Sequence, residues 1–132
     1  MTRRTSRRSP DESSLFSEFR RTVNMTPAQI RAWHASPLSK LASFANTRAE
    51  LPLLAKMKET PMEAWTPRMW SKAVRALSFV KRHEAQMRVQ GKRYGTGRMH
   101  VTEKRVVALL NWGRMTPGVS AARAYLRAGS TA

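Results

Sequence analysis

The chain contains no cysteine. Disulfides, Cys-based zinc sites and thiol nucleophiles are therefore excluded. Carboxylates are scarce: 8 Asp+Glu stand against 25 Lys+Arg, for a formal net charge of +17. No two of those acids are placed as a paired-carboxylate centre. His34, His83 and His100 lie far apart, with no carboxylate at metal-ligand spacing. No serine sits in a nucleophile elbow. No metal, no cofactor and no catalytic residue is expected, and the protein is not expected to be an enzyme. No apolar run approaches the roughly 18 residues of a transmembrane span. No apolar segment follows the basic N-terminus to make a secretory signal. Strand-like alternation is nearly absent as well.

What is present is positive charge on an otherwise ordinary globular composition. The 132 residues are 41% hydrophobic, enough for one modest core. The charge is uneven along the chain. Residues 1–10 carry +4, residues 11–59 carry +2, and residues 60–132 carry +11. A compact chain with this much like charge repels itself unless a polyanion or salt screens it. Nucleic acid is the commonest cellular polyanion, and DNA is expected over RNA. A cytoplasmic location is expected, nucleoid-associated if the source is bacterial.

Local signals predict an all-α fold. It comprises a disordered basic arm (1–10), a single compact domain of six to seven short helices (11–128) and a frayed tail (129–132). Leu15, Phe16, Phe19 and Val23 form one helical stripe. Thr26-Pro27 with Gln29 reads as a capping box opening a helix through Trp33. Pro37 stops that helix, a short apolar piece follows, and another helix starts near Glu50 or Leu51. Thr60-Pro61, Thr66-Pro67 and Thr116-Pro117 repeat the start signal, the last of them for a basic helix from Val119 to Arg127. Thr102 is expected to cap a helix that ends at Asn111-Trp112-Gly113, with Gly113 left-handed. The four tryptophans are expected mainly in the core. Trp65 and Trp112 are the candidates for an exposed anchor.

The longest helix is predicted from Pro67 to about Val89. Trp70, Val74, Leu77, Val80, Glu84 and Met87 would be its buried stripe, with Glu84 paired to Arg88 one turn on. Arg68, Lys72, Arg75 and Arg82 fall largely on another face, with Lys81 and Arg88 adjoining. Residues 91–100 hold three glycines and read as a mobile loop carrying Lys92, Arg93, Tyr94 and Arg98. Basic side chains there would contact phosphates and Tyr94 would stack on a base. Neutralising Arg82, Lys92 and Arg93 together is expected to weaken binding. The alternative is a protein-interaction module that binds an acidic partner or belongs to a phage or mobile-element assembly.

Three groups of residues resemble domain-of-unknown-function family 3140. They are Phe19 with Val23-Asn24-Met25-Thr26 and Trp33, then Val80-x-Arg82-His83-x-Ala85-Gln86, then Asn111-Trp112-Gly113. Members are small bacterial proteins, some labelled DNA-binding. The resemblance implies a compact helical domain and carries over no catalytic residue. The family's His-Asp-Pro after Asn-Trp-Gly is replaced here by Arg114-Met115-Thr116-Pro117. A weaker likeness to SAP-type helix–loop–helix DNA-binding motifs covers Met25 to Ile30 and Thr47 to Leu51.

Overall fold

A computed structural model describes residues 10–42, 48–93, 102–117 and 123–124. Every regular element among these residues is helical. The elements are α1 (Pro10–Thr22), α2 (Pro27–Ala35), α3 (Pro37–Ala42), α4 (Leu51–Glu59), a 3₁₀ turn (Met62–Ala64), α5 (Pro67–Arg93) and α6 (Glu103–Leu110). The arm of residues 1–9, the tail, and most of the helix expected over 119–127 lie outside the described residues.

Prolines set the boundaries. Each of α1, α2, α3 and α5 begins on a proline, whose missing N–H costs nothing at the first position. The capping box of α2 forms as the sequence predicts. Gln29 N–H donates to Thr26 Oγ1 at 3.1 Å, and Thr26 N–H donates to Gln29 Oε1 at 2.9 Å. Thr66 and Thr102 cap α5 and α6 with a single bond each, the hydroxyls accepting from Met69 N–H at 3.3 Å and Arg105 N–H at 3.2 Å. Thr60 does not. Its hydroxyl turns back to the Lys56 carbonyl at 2.6 Å, so Thr60-Pro61 closes α4 and leads into the 3₁₀ turn.

The core joins both halves of the chain. Phe19, Val23, Ile30, Trp33, Leu51, Leu54 and Met57 are fully buried against Met69, Ala73, Val106 and Leu110. Helix α2 packs mainly on α4, and α1 packs along α5. Trp65 is buried at the centre of an aromatic cluster, with ring centroids 4.9 Å from Phe16, 5.3 Å from Phe19 and 4.8 Å from Trp70. It is a core residue and not an exposed anchor. A second small cluster, Val80, Met87 and Leu109, fixes the far half of α5 on α6.

Helix α5 departs from expectation in two ways. It continues to Arg93, so Gly91-Lys92-Arg93 is helical backbone and not loop. Gly91 is buried there. The buried seam is Met69, Ala73, Ala76, Leu77, Val80, Glu84 and Met87, and Val74 lies outside it at 51% exposure. Leu77, Val80, Glu84 and Met87 are buried as expected, and the seam differs only in the first half of the helix, where Met69, Ala73 and Ala76 are buried and Trp70 is half-buried.

A set of hydrogen bonds joins the α1–α2 turn to the end of α6. Gly113 is left-handed at φ 75°, as the sequence predicts. Gly113 N–H reaches the Leu110 carbonyl and Arg114 N–H the Leu109 carbonyl, both at 2.9 Å, which closes the helix in a Schellman pair. Gly113 O then accepts from Met25 N–H at 3.1 Å. The Asn24 side chain both donates to Met115 O (2.7 Å) and accepts from Met115 N–H (2.8 Å). Trp33 Nε1 donates to Asn111 Oδ1 at 2.8 Å in the core. Residues 91 positions apart are thus held as if they were neighbouring strands of backbone.

Candidate nucleic-acid interface

Many of the basic side chains are structural. Arg114 forms a two-pronged ion pair with Glu84, at 2.8 and 3.1 Å, and also donates to Thr22 O. Thr116 Oγ1 donates to the same carboxylate at 2.7 Å. Glu84 is buried, so this pairing across 30 residues replaces the expected one with Arg88. Lys58 and Arg20 each donate to the other's backbone carbonyl, and Lys58 reaches Val23 O as well, so each cation closes the end of the other's helix. Arg48 does the same for α2 through His34 O and the Ser39 hydroxyl.

Lys72 is the clearest correction among the expected phosphate contacts. It is only 4% exposed. Its ammonium lies 3.9 Å from the Trp112 ring centroid and 3.3 Å from Glu50 Oε1. Burial lowers its pKa, Glu50 partly restores it, and Arg75 and Arg68 add to the lowering. Lys72 sits at the edge of the α5 seam, and the α6 terminus brings Trp112 over it. The cation is enclosed by the fold and cannot reach a polymer on the surface.

The remaining α5 cations divide by position. Arg68 is exposed and bonded to Glu50 at 2.8 Å. Burial alone would raise the Glu50 pKa, but Lys72 and Arg68 outweigh it and leave it lowered. Lys81 is exposed, 3.8 Å from Glu18 of α1. Arg75 and Arg82 are exposed and have no acidic partner among the described residues. They are seven residues apart, two turns or about 10.5 Å along one face. The Lys92 and Arg93 side chains, Tyr94 and Arg98 lie outside the described residues.

Beside this ridge lies a groove of which only one wall is marked in the sequence. A cavity of about 450 Å³ opens between α5 and α6, lined by His83, Gln86, Gln90, Thr102, Lys104 and Arg105 with Ala108. Arg105 Nη1 lies 2.7 Å from His83 Nδ1. Arginine has no acceptor, so Arg105 donates, and in the neutral imidazole Nε2 carries the proton. Burial lowers the His83 pKa, and Arg105 and Arg82 lower it further. The imidazole is also held by stacking: Phe79 lies 4.0 Å from His83 and 5.0 Å from Trp112, centroid to centroid. A column of Lys72, Trp112, Phe79 and His83 thus runs from the interior to the groove. The signal for it was a polar stripe, His83, Gln86 and Gln90, at helical spacing beside the apolar seam.

Among the described residues no group of three or more His, Asp or Glu side chains is placed to hold a metal ion. No described helix is long and apolar enough to cross a membrane. No protein-family model, curated protein or solved structure matches the chain.

Proposed function

We propose that the protein binds nucleic acid, DNA in preference to RNA, through the phosphate backbone and without chemistry of its own. The observation that supports this most is the pair Arg75 and Arg82, exposed on one face of α5 with no acidic partner among the described residues. Lys104 and Arg105 of α6 add two cations in the groove lined by His83, the residue after Arg82. Cations left unneutralised at fixed spacing on a rigid helix suit phosphate contacts, which position a polymer but read no sequence. The driving force is counterion release, so affinity falls steeply with salt. The arginines of residues 1–10 belong to the same proposal as further positive charge, as do Lys92, Arg93, Tyr94 and Arg98. The setting would be the cytoplasm, on the nucleoid in a bacterium.

The test is binding of the purified protein to fluorescent duplex DNA, single-stranded DNA and RNA across a salt series. Tight, salt-sensitive binding is expected. No binding to any of the three near physiological salt would overturn the proposal and favour an acidic protein partner. The kinship with domain-of-unknown-function family 3140 stays a resemblance of residues. Its first and third groups build the tie between the α1–α2 turn and Gly113, while the second lies on α5 and includes Arg82 of the basic ridge and His83 and Gln86 of the groove.

A further inference from the structure

We propose that the groove between α5 and α6 takes one unpaired nucleotide of a bound strand, its phosphate on Lys104 and Arg105 and its base against Gln86 and Gln90. This rests on the nucleic-acid function proposed above and names a site within it.

Size comes first. About 450 Å³ is within the usual range for pockets that enclose a small organic ligand. It exceeds what a lone inorganic ion needs, and a duplex cannot enter it. Chemistry comes second. Among the described residues the lining holds two permanent cations, an imidazole, a hydroxyl and two carboxamides, and no carboxylate. Such a wall attracts an anion and repels a cation. Because Arg105 occupies His83 Nδ1, the neutral ring offers a donor at Nε2. The stack on Phe79 and Trp112 fixes the plane of that ring before any ligand arrives. A donor that is already oriented loses little freedom on binding.

The carboxamides extend this beyond phosphate. Gln86 and Gln90 are one turn apart on α5 and both line the groove. A carboxamide has a donor and an acceptor side by side and matches the paired donor and acceptor on a base edge. A base can present that edge inside a narrow groove only when it is unpaired. Finally, Arg82 precedes His83, so a strand lying along the Arg75–Arg82 ridge passes the groove mouth. The ridge supplies affinity without preference, and the groove supplies a preference for unpaired nucleotides.

The test compares one DNA sequence as an unpaired single strand and paired within a hairpin whose loop is a non-nucleotide linker, measured by anisotropy with the full chain at one salt concentration. Adenosine monophosphate is the small probe, followed by the side-chain amide NMR signals of Gln86 and Gln90. The single strand should bind about tenfold tighter, the discrimination expected of one bidentate base contact. The double variant Gln86→Ala/Gln90→Ala should lose that preference and keep its hairpin affinity. Both changes are on the surface, so the fold should tolerate them, and Arg105→Gln should weaken adenosine monophosphate and strand binding alike. Equal affinity for strand and hairpin, or glutamine signals that do not move with the nucleotide, would overturn the groove proposal while leaving backbone binding intact. Nucleotide binding with no strand bound would overturn both and point to a free nucleotide ligand. Absence of binding to any polymer or nucleotide would also overturn both.

Discussion

The basic residues fall into two populations that the sequence does not distinguish. Arg114, Lys72, Lys58 and Arg48 are turned inward, where they pair with Glu84, lie over Trp112 or close helix ends. Arg75 and Arg82 stand on the outside of α5 with no acidic partner among the described residues. The first group holds the domain together. The second is available to a polyanion. A net charge of +17 is therefore not a count of binding contacts. Part of it is spent on joining distant segments, because a domain this small has limited apolar surface to bury.

Four changes should break or sharpen that contrast. The largest effect is expected at Glu84. Glu84→Ala leaves Arg114 with no counter-charge at a site where its side chain is only 15% exposed, and it strips Thr116 of its acceptor. Breaking such a pair costs about 3–5 kcal/mol, readable as a lower urea midpoint. Gly113→Ala comes next. It forces a left-handed backbone on alanine and sets a new Cβ 2.6 Å from Val23 Cγ1, within a fully buried β-branched side chain. Strain and overpacking together should cost about 3 kcal/mol in the same assay.

The third effect is pH dependence. Burial, then neighbouring cations, hold the His34 and His83 pKa values below the ordinary histidine value. Below about pH 6.5 the unfolded chain takes up protons that the native state resists. Stability is thus fully present above that pH and declines as pH falls through it. The His34→Gln/His83→Gln variant should show a flatter profile between about pH 7.5 and 5.5, and an unchanged slope would contradict the shifts. The smallest effect is expected at Lys72. Lys72→Met keeps the buried stem and leaves Glu50 its bond to Arg68. Stability should move by about 1 kcal/mol or less, and DNA affinity should not move at all. A loss of affinity there would mean that the inner population also meets the polymer.

Much of the fold was legible because its signals are local. Thr26 with Gln29, the prolines at helix starts, and Gly113 after Trp112 each act within four residues. The burial of Phe19, Ile30, Trp33 and Leu110 followed from helical spacing. What was not legible depends on partners far along the chain. Glu84 has a basic residue one turn away, yet it meets Arg114 because the α6 terminus folds back over α5. Lys72 looked like one more ridge cation until Trp112, 40 residues on, covered it. The groove needs two helices, and only its α5 half was visible as a stripe. Of the expected phosphate contacts, Arg75 and Arg82 keep the exposure they need, while Arg68 and Lys81 share theirs with Glu50 and Glu18.

The most direct test of the division is a salt series for duplex DNA with three proteins: the natural chain, Arg75→Gln/Arg82→Gln and Lys72→Met. For the natural chain, log K should fall linearly with log salt. The arginine double variant should bind more weakly, with a slope shallower by about 2, while Lys72→Met should overlay the natural chain. A double variant that keeps the full slope, or a natural chain that does not bind DNA near physiological salt, would contradict the assignment of the α5 ridge to the phosphate backbone.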